Sequence, residues 1–290
     1  MISIITPVYN GDKFIEDCIN NVIGQNCHDI EHIILDGGST DRTVEIIKQY
    51  AEKYPHIRWL SEKDKGQSDA MNKGIAMSKG DILGILNVDD YYEPNVLNQV
   101  EEIFKTLPNP SLLVGNCNIW NDDCIIFEVN KPAKLKLTDL LLGWHINPFP
   151  ANPSAYFYHT SLHKIIGLYD VEAHYTMDMR FLLKAVQTAT VKYVNKTWGN
   201  YRMIKGTKTF NGLASGQTMK RIEVILEEYR KELPMLQQWQ IGIKRKYYNV
   251  QYGIINRVKY FSKKPQELPL SLSRKFNELL WLDKFKKIQK

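Results

Sequence analysis

The chain has 290 residues, of which 43% are hydrophobic, 24% charged and 11% aromatic. This composition is ordinary for a globular protein, and it excludes the collagen-like, disordered and disulfide-rich miniprotein classes. No apolar run approaches the ~18–20 residues that a membrane-spanning helix needs. The first residues carry no basic region and no small-residue cleavage site, so we do not expect a signal peptide.

The net charge of +6 is unevenly distributed along the chain. Residues 244–290 hold 13 basic and 3 acidic side chains, whereas residues 1–243 hold 25 basic and 29 acidic ones. This asymmetry predicts an anionic partner for the C-terminal segment and not for the rest of the chain.

The cysteines and histidines predict neither a disulfide framework nor a metal site. The four cysteines are widely spaced and form no C-x-x-C pair, which indicates reduced thiols in a cytoplasmic protein. The pairs His28/His32 and His159/His163 have i,i+4 spacing but lack the glutamate of an H-E-x-x-H motif. Structural or solvent-facing histidines are therefore the favoured interpretation.

The first hundred residues alternate strand, loop and helix. Apolar runs predict strands at Ser3–Ile5, Glu31–Leu35, Ile57–Leu60 and Ile82–Leu86. Apolar residues at helical spacing predict helices at Phe14–Ile23, Thr43–Tyr54 and Ser68–Met77. This alternation predicts right-handed crossovers and an α/β fold in which helices cover a mostly parallel sheet. Ligands in such folds bind beyond the carboxyl ends of the strands, so the loops after the strands are the candidate site.

The loop after the fourth predicted strand begins with Asn87-Val88-Asp89-Asp90. The strand before it is apolar enough to be buried, so two adjacent carboxylates lie at its end. Adjacent carboxylates repel one another, and a hard divalent cation would stabilise them. A strand-terminating turn, in which Asp90 caps the next helix, is the open alternative.

The loop Asp36-Gly37-Gly38-Ser39-Thr40-Asp41 has a similar ambiguity. Its glycines make a turn, and Ser39 or Asp41 can cap the next helix. A dinucleotide site would use Asp36 on a ribose, but it also needs a G-x-G-x-x-G loop after the first strand. That loop reads Thr6-Pro7-Val8-Tyr9-Asn10-Gly11, which excludes a nicotinamide or flavin enzyme. The phosphate-binding G-x-x-x-x-G-K-[ST] loop is absent as well.

Four segments resemble, in their order along the chain, the motifs of the family 2 glycosyltransferases of GT-A fold. They are Ser3–Asn10, Asp36–Asp41, Ser61–Gly74 and Leu86–Asp90, and the resemblance spans about residues 1–205. It implies a GT-A type, Rossmann-like, mostly parallel sheet flanked by helices. It also implies a nucleotide-sugar donor, a divalent metal (Mn²⁺ or Mg²⁺) and transfer with inversion at the anomeric carbon.

The resemblance implies donor-site roles for residues at the matching positions. The nucleoside pocket would be lined by Thr6, Pro7 and Tyr9. Asp36 would bind the base, which is most often uracil. The nucleotide would lie along Asp64, Gly66 and Gln67. Asp89 would contact the ribose or donor sugar, and Asp90 would bind the metal. The family motif is Asp-x-Asp, and its first position here is Asn87. The division of roles between Asp89 and Asp90 therefore stays open.

The catalytic base implied by the resemblance is Asp178, which stands in the family's Asp-x-x-Phe context. Apolar residues follow it at helical spacing, so it begins a helix whose apolar face is buried. A pKa lowered by the helix end would keep this carboxylate ionised. The alternative is a carboxylate that only stabilises the helix through its dipole.

The resemblance carries over more loosely to the acceptor side of the site. His145 and Asn147 would belong to the acceptor site, and Arg202 to the segment that folds over the donor phosphates. Gly206–Gly216 is rich in glycine and predicts a mobile loop that closes on the donor. Residues 218–232 predict a helix that ends before Pro234.

We divide the chain into three parts. The catalytic domain is 1–205, which consists of a nucleotide-binding half (1–110) and an acceptor half (111–205). A mobile loop and a helix (206–243) follow it. The last part is a helical, basic and aromatic segment (244–290). Residues 274–287 show the pattern of a basic amphipathic helix at a membrane surface. Packing on the catalytic domain, or on a second subunit in a homodimer, is the alternative. Nucleic acid is not an expected partner, because no recognition motif is present.

The sequence therefore predicts an inverting, metal-assisted glycosyltransferase, cytoplasmic or peripheral on the inner face of the cell membrane. It would move a hexose from a UDP-sugar to a glycan, or to a lipid-linked glycan, in the biosynthesis of a cell-envelope polysaccharide. A non-catalytic, nucleotide-binding partner of a glycan assembly system is the alternative. A sugar nucleotidyltransferase is disfavoured, because its glycine-rich loop is missing after the first strand.

Overall fold

The computed structural model describes residues 1–173 and 175–263. Residues 1–237 form one compact unit, and a second unit begins at Gln238. The strands are β1 (Ile2–Val8), β2 (Ile30–Asp36), β3 (Ile57–Ser61), β4 (Ile82–Ile85), β5 (Tyr91–Tyr92), β6 (Ser111–Trp120), β7 (Ile126–Asn130), β8 (Tyr156–His159) and β9 (Thr190–Arg202). The helices are α1 (Ile15–Ile23), α2 (Thr43–Lys53), α3 (Gln67–Met77), α4 (Val96–Phe104), α5 (Leu137–Leu140), α6 (Leu162–Ile166), α7 (Met177–Thr188), α8 (Lys208–Ala214), α9 (Gln217–Glu232) and α10 (Met235–Lys263).

The strands form one sheet in the order β3-β2-β1-β4-β8-β6-β9-β5, and β7 pairs with β6. The first four strands are parallel to one another, as is the long pair of β6 and β9. Strand β8 lies between these two parallel parts and joins them, since it pairs with both β4 and β6 and runs antiparallel to each. The predicted α/β fold with a mostly parallel sheet is confirmed.

The sheet is covered on both faces, which explains why its central strands are apolar throughout. Ile4 packs with α1 and α4 on one face. Its neighbour Ile5 points to the other face, where a Cβ added to Gly74 of α3 would lie 2.6 Å from its side chain. Both isoleucines are fully buried. This double cover leaves the loops at the strand ends as the open part of the sheet.

The second half of the chain differs in places from the sequence-based expectations. The predicted loop 206–216 contains helix α8, whose first turn is capped by the Thr207 side chain. The helix predicted at 218–232 is confirmed as α9. The amphipathic helix predicted at 274–287 lies outside the described residues. All four cysteines are free thiols, as expected. In the described part of the chain, no helix is both long and apolar enough to cross a bilayer.

Candidate active site

The loops after β1, β2 and β4 come together because these strands are parallel neighbours. Val8 of β1 lies opposite Asp36 of β2 in the sheet register, and Ile5 of β1 lies opposite Ile85 of β4. Side chains also connect the first two loops, since the backbone N–H of Asn10 donates to Ser39 Oγ at 2.7 Å. The candidate site therefore lies at the carboxyl edge of the sheet, where the sequence predicts it.

Asp36 is held rigidly at the end of β2. Its Oδ2 accepts hydrogen bonds from the N–H groups of Gly38 and Ser39, both at 3.1 Å, and from the Ser61 hydroxyl at 2.6 Å. Its Oδ1 is buried and has no hydrogen-bond partner among the described residues. Because a buried acceptor without a donor is unfavourable, this oxygen is suited to a ligand that brings an N–H group.

The loop after β3 is also shaped by an acidic side chain. The N–H of Gly66 donates to Asp64 Oδ1 at 2.8 Å, and Gly66 has a φ of 115°, a conformation that strongly favours glycine. Helix α3 begins at the next residue, Gln67, whose Nε2 donates to Asn87 Oδ1 at 2.8 Å. The loops after β3 and β4 are thereby connected.

Asp90 is the centre of a hydrogen-bond network. Its Oδ2 accepts from the side-chain amides of Asn87, at 2.8 Å, and Asn152, at 2.7 Å. Its Oδ1 accepts from the backbone N–H of Arg202, at 3.2 Å. The Asp90 side chain is only 3% exposed. This carboxyl group therefore connects the loop after β4 with the loop before β8 and the end of β9.

Burial dominates the ionisation of both carboxyl groups in this loop. It raises the pKa of Asp90 to about 8, and the neighbouring Asp89 carboxylate adds to the increase. Burial also raises the pKa of Asp89, while a hydrogen bond from its own backbone N–H and the positive charge of Arg202 oppose the rise. Within residues 1–173 and 175–263, no other residue donates a hydrogen bond to the Asp89 carboxylate. The Asp89 carboxylate, unlike that of Asp90, is therefore not bonded to other parts of the described chain.

Asp178 lies in the first turn of α7. Its Oδ1 is buried and receives no hydrogen bond from the part of the chain that the structure describes, and burial raises the pKa of the carboxyl group to about 6. The predicted position at a helix start is confirmed. The pKa is raised and not lowered as expected, because burial outweighs the helix dipole.

Asp178 opens into a cavity of about 350 Å³. The polar network borders the same cavity through Gln67, Asn87 and Asn152. The remaining walls are largely apolar or aromatic, and they include Trp144 and Phe149, whose rings stack at 5.9 Å. A cavity of this size is within the ~300–1,000 Å³ range of small-molecule sites.

Several residues expected in the site lie elsewhere. Thr6 is fully buried and bonds to His32 in the core at 2.9 Å, because strand alternation turns its side chain away from the open edge. Pro7 is buried in β1. Tyr9, in contrast, is 64% exposed just beyond the carboxyl end of β1, at the edge of the sheet that carries the candidate site. Asn147 is 4% exposed and donates to the Lys134 carbonyl at 2.9 Å, which is a loop-stabilising contact.

The acceptor side differs most from the sequence-based expectations. His145 is exposed and, like Asn147, does not border the cavity. Other residues border it, among them Trp144, Asn152 and Tyr201, and the sequence assigned none of these three to the acceptor site. Their positions in the cavity wall depend on how the loops and the sheet fold together, which the spacing of residues along the chain does not show. Arg202 lies at the end of β9, with its guanidinium carbon 5.2 Å from the centre of the Tyr91 ring and close enough to influence Asp89.

The residues present are compatible with a divalent cation held jointly with a ligand. In the described residues, no group of three or more His, Cys, Asp or Glu side chains could hold a metal by itself. Mg²⁺-type ions in nucleotide sites commonly take one or two carboxylates plus phosphate oxygens. The Asp89 carboxylate, without other donors, has the chemistry for that arrangement. Asp90 is a weaker candidate, because protein N–H groups already bond to both of its oxygens.

Known sequences share similarity with the N-terminal part of the chain. Residues 3–129 match the family model described as Glycosyl transferase family 2. Chondroitin synthase from Escherichia coli is 27% identical over 235 residues, which cover 80% of this chain and 32% of that protein. The uncharacterized glycosyltransferase EpsJ of Bacillus subtilis is 29% identical over 198 residues, or 65% of this chain and 57% of EpsJ. The chain thus spans about a third of the chondroitin synthase and just over half of EpsJ.

Solved structures share the fold. S. aureus TarS 1–349 in complex with UDP-GlcNAc has a TM-score of 0.65 at 17% identity, over 95% of this chain and 78% of that one. The mannosyltransferase PcManGT from Pyrobaculum calidifontis, in complex with GDP-Man and Mn²⁺, has a TM-score of 0.57 at 13% identity, over 97% of this chain and 79% of that one. The chain has the GT-A fold, and its residues 3–129 match glycosyl transferase family 2.

Proposed function

We propose that the protein is an inverting glycosyltransferase that moves a hexose from a UDP-sugar to a glycan acceptor. The observation that carries this proposal is the cavity in which the unpartnered Asp178 carboxyl group faces the network around Asp90. The UDP-GlcNAc complex of TarS and the similarity to chondroitin synthase support the choice of a UDP-sugar and a polysaccharide acceptor.

In this proposal the strand-end loops bind the nucleotide. The free Oδ1 of Asp36 accepts the N–H of the uracil base, and Asp64 and Gln67 lie along the nucleotide. Asp89 holds the divalent metal, while Asp90 fixes the loop through its three N–H donors. When bound, Mn²⁺ or Mg²⁺ would supply charge neutralisation for the diphosphate leaving group. The donor side corresponds to residues 1–110 and the acceptor side to 111–205.

Asp178 acts as the general base. It accepts the proton of the acceptor hydroxyl while the hydroxyl oxygen forms a bond to the anomeric carbon on the face opposite the nucleotide. The bond from that carbon to the phosphate oxygen breaks, and its electron pair leaves with the diphosphate. With a pKa of about 6, the Asp178 carboxyl group is mainly ionised at neutral pH and remains a stronger base than an exposed aspartate.

Substitution of the base tests this proposal. We expect Asp178→Asn to abolish transfer from a panel of UDP-sugars with Mn²⁺, measured as UDP release, because general base catalysis alone contributes ~10²–10⁴-fold to the rate. The affinity for UDP, measured by calorimetry, should stay within about twofold of that of the unmodified chain. The control Asp170→Asn changes an exposed carboxylate that does not border this cavity, and it should leave turnover unchanged.

Two outcomes would contradict the proposal. Full turnover by Asp178→Asn would remove Asp178 as the base. Tight UDP binding without turnover, for every donor in the panel and for the unmodified chain, would instead favour the non-catalytic nucleotide-binding alternative.

A further inference from the structure

Helix α10 has an unusual charge composition. Its 29 residues include six Lys or Arg side chains and no Asp or Glu. It also carries Trp239 and four tyrosines. Tryptophan and tyrosine prefer the boundary between water and lipid, because their rings are apolar and their N–H or O–H groups are polar.

One face of α10 is apolar and open to solvent. Its members are exposed by 49–66% and are Leu236, Trp239, Ile243, Tyr247, Val250 and Ile254. They follow one another at intervals of three or four residues, so they form a single stripe along five turns of the helix. Six large apolar side chains in one continuous exposed stripe need a partner, whereas scattered ones do not.

The charges at the edges of this stripe indicate an anionic partner. Lys244 and Lys246 lie on opposite sides of the stripe, about 100° and about 60° from its centre, as the ~100° rotation per residue of an α-helix requires. Side chains at these positions can lay their carbon chains along an apolar surface and extend their ammonium groups toward anionic head groups. The composition of the helix is thus complementary to a negatively charged lipid surface.

A second copy of the same helix fits less well. Pairing two such helices would bring two sets of six positive charges together without a compensating carboxylate. The stripe also repeats every 11 residues (236 and 247, 239 and 250, 243 and 254), which is the period of a right-handed coiled coil and not of the more common left-handed one. An 11-residue repeat stays nearly straight along the helix, which suits a flat surface.

We propose that α10 is an interfacial helix that lies on an anionic lipid surface through this stripe. The proposal goes beyond the transferase activity and does not depend on it. It assigns membrane contact to 235–263, which overlaps the segment 244–290 in which the sequence alone predicted it, and lies N-terminal to the amphipathic pattern at 274–287.

Vesicle sedimentation of the full chain tests the proposal. The vesicles contain phosphatidylcholine alone, or phosphatidylcholine with about 30 mol% phosphatidylglycerol as the anionic lipid. We expect the protein to sediment with the anionic vesicles at low salt, and at least about tenfold less of it with neutral vesicles or in ~0.5 M NaCl, since salt screens exposed charges.

Matched variants separate the stripe from the rest of the helix. The double variant Trp239→Gln/Tyr247→Gln should lose most vesicle binding, and Lys244→Gln/Lys246→Gln should lose the preference for anionic lipid. Tyr248→Gln makes the same chemical change next to Tyr247 but off the stripe, where Tyr248 is 37% exposed, and it should bind like the unmodified chain. Circular dichroism confirms that each variant is folded.

Three results would overturn the proposal. The first is a chain that stays in the supernatant with both kinds of vesicle. The second is equal binding by Trp239→Gln/Tyr247→Gln and Tyr248→Gln. The third is a dimer in light scattering without vesicles that Trp239→Gln/Tyr247→Gln dissociates, because the occupant of the stripe would then be a second copy.

Discussion

At the scale of single residues, the site holds carboxyl groups in surroundings that disfavour their charge. Asp178 has a buried oxygen without a donor, and its pKa rises from an ordinary value of 3.8 to about 6. Such an arrangement lowers the free energy of unfolding at neutral pH, and a fold gains nothing from it. Groups of this kind are therefore candidates for function, because a structural aspartate would be placed beside a donor.

The sign of this effect gives a prediction. Because the pKa of Asp178 is higher in the folded state, its contribution to stability is fully present below pH 3.8 and is lost as the pH rises through about 6. We expect Asp178→Asn, which removes the charge, to raise Tm at pH 8 by several degrees, for a gain of about 1–3 kcal/mol. At pH 4 the two proteins should have nearly equal Tm values.

Scanning calorimetry at the two pH values provides the measurement, with Asp170→Asn as the exposed control. A lower or unchanged Tm of Asp178→Asn at pH 8 would mean that the carboxyl group is stabilised in the fold by a donor or a cation. The result is informative whether or not the protein transfers sugars.

At the scale of elements, close packing of β9 against the turn before β8 positions the Asp90 network. Gly199 of β9 has no room for a side chain, because an added Cβ would lie 2.7 Å from the Ser154 carbonyl carbon and 2.9 Å from the Ala155 nitrogen. Both are backbone atoms, which cannot move aside as a flexible side chain could. The same turn follows Asn152, which donates to Asp90.

We therefore expect Gly199→Ala to lower the free energy of unfolding by about 1–3 kcal/mol, the usual cost of overpacking. Urea denaturation gives the measurement. The matched control is Gly242→Ala in α10, where no atom lies within 4 Å of the added Cβ, and it should stabilise the chain by up to ~1 kcal/mol, because alanine favours helices. Equal effects of the two substitutions would rule out the packing argument.

The elements also show how far sequence patterns carry. In the first hundred residues, apolar runs and helical spacing located β1 to β4 and α1 to α3 within a few residues, because burial on both faces leaves a strong pattern. Helix α8 was not predicted, since Lys208–Ala214 contains glycine and polar residues that are typical of a loop. The structure shows that the Thr207 side chain caps its first turn. The basic segment that begins at residue 244 was predicted to be helical, and α10 confirms this as far as Lys263, but the helix begins earlier than predicted, at Met235.

The reach of local sequence patterns also explains which candidate site residues were predicted. Asp36, Asp89, Asp90 and Asp178 stand in local motifs, and their positions at strand or helix ends follow from those motifs. Asn152 comes from a distant loop, and β8 brings it to Asp90 by inserting antiparallel between β4 and β6. That order of strands is a property of the whole sheet, so no local pattern reveals it. Thr6 was misplaced, because a motif does not state which face its side chain takes.

At the scale of the whole molecule, ligand binding and folding are linked, so thermal stability can assign the roles of the acidic residues. A ligand that binds only the folded protein stabilises it by about 2.7 kcal/mol at 100 times its Kd. We expect UDP with Mn²⁺ to raise Tm of the unmodified chain by several degrees, and UDP alone to raise it less.

Three variants then divide this increase in Tm into its parts. Asp36→Asn should lose the response to UDP with or without Mn²⁺, because three donors hold its amide oxygen in place and its NH₂ group replaces the free acceptor. Asp89→Asn should keep the response to UDP and lose only the increment that Mn²⁺ adds. Asp90→Asn changes a carboxyl group already bonded to protein donors, so it should shift Tm of the free protein while the Mn²⁺ increment persists. If the increment vanishes in Asp90→Asn and survives in Asp89→Asn, the metal belongs to Asp90, as the motif alone implied.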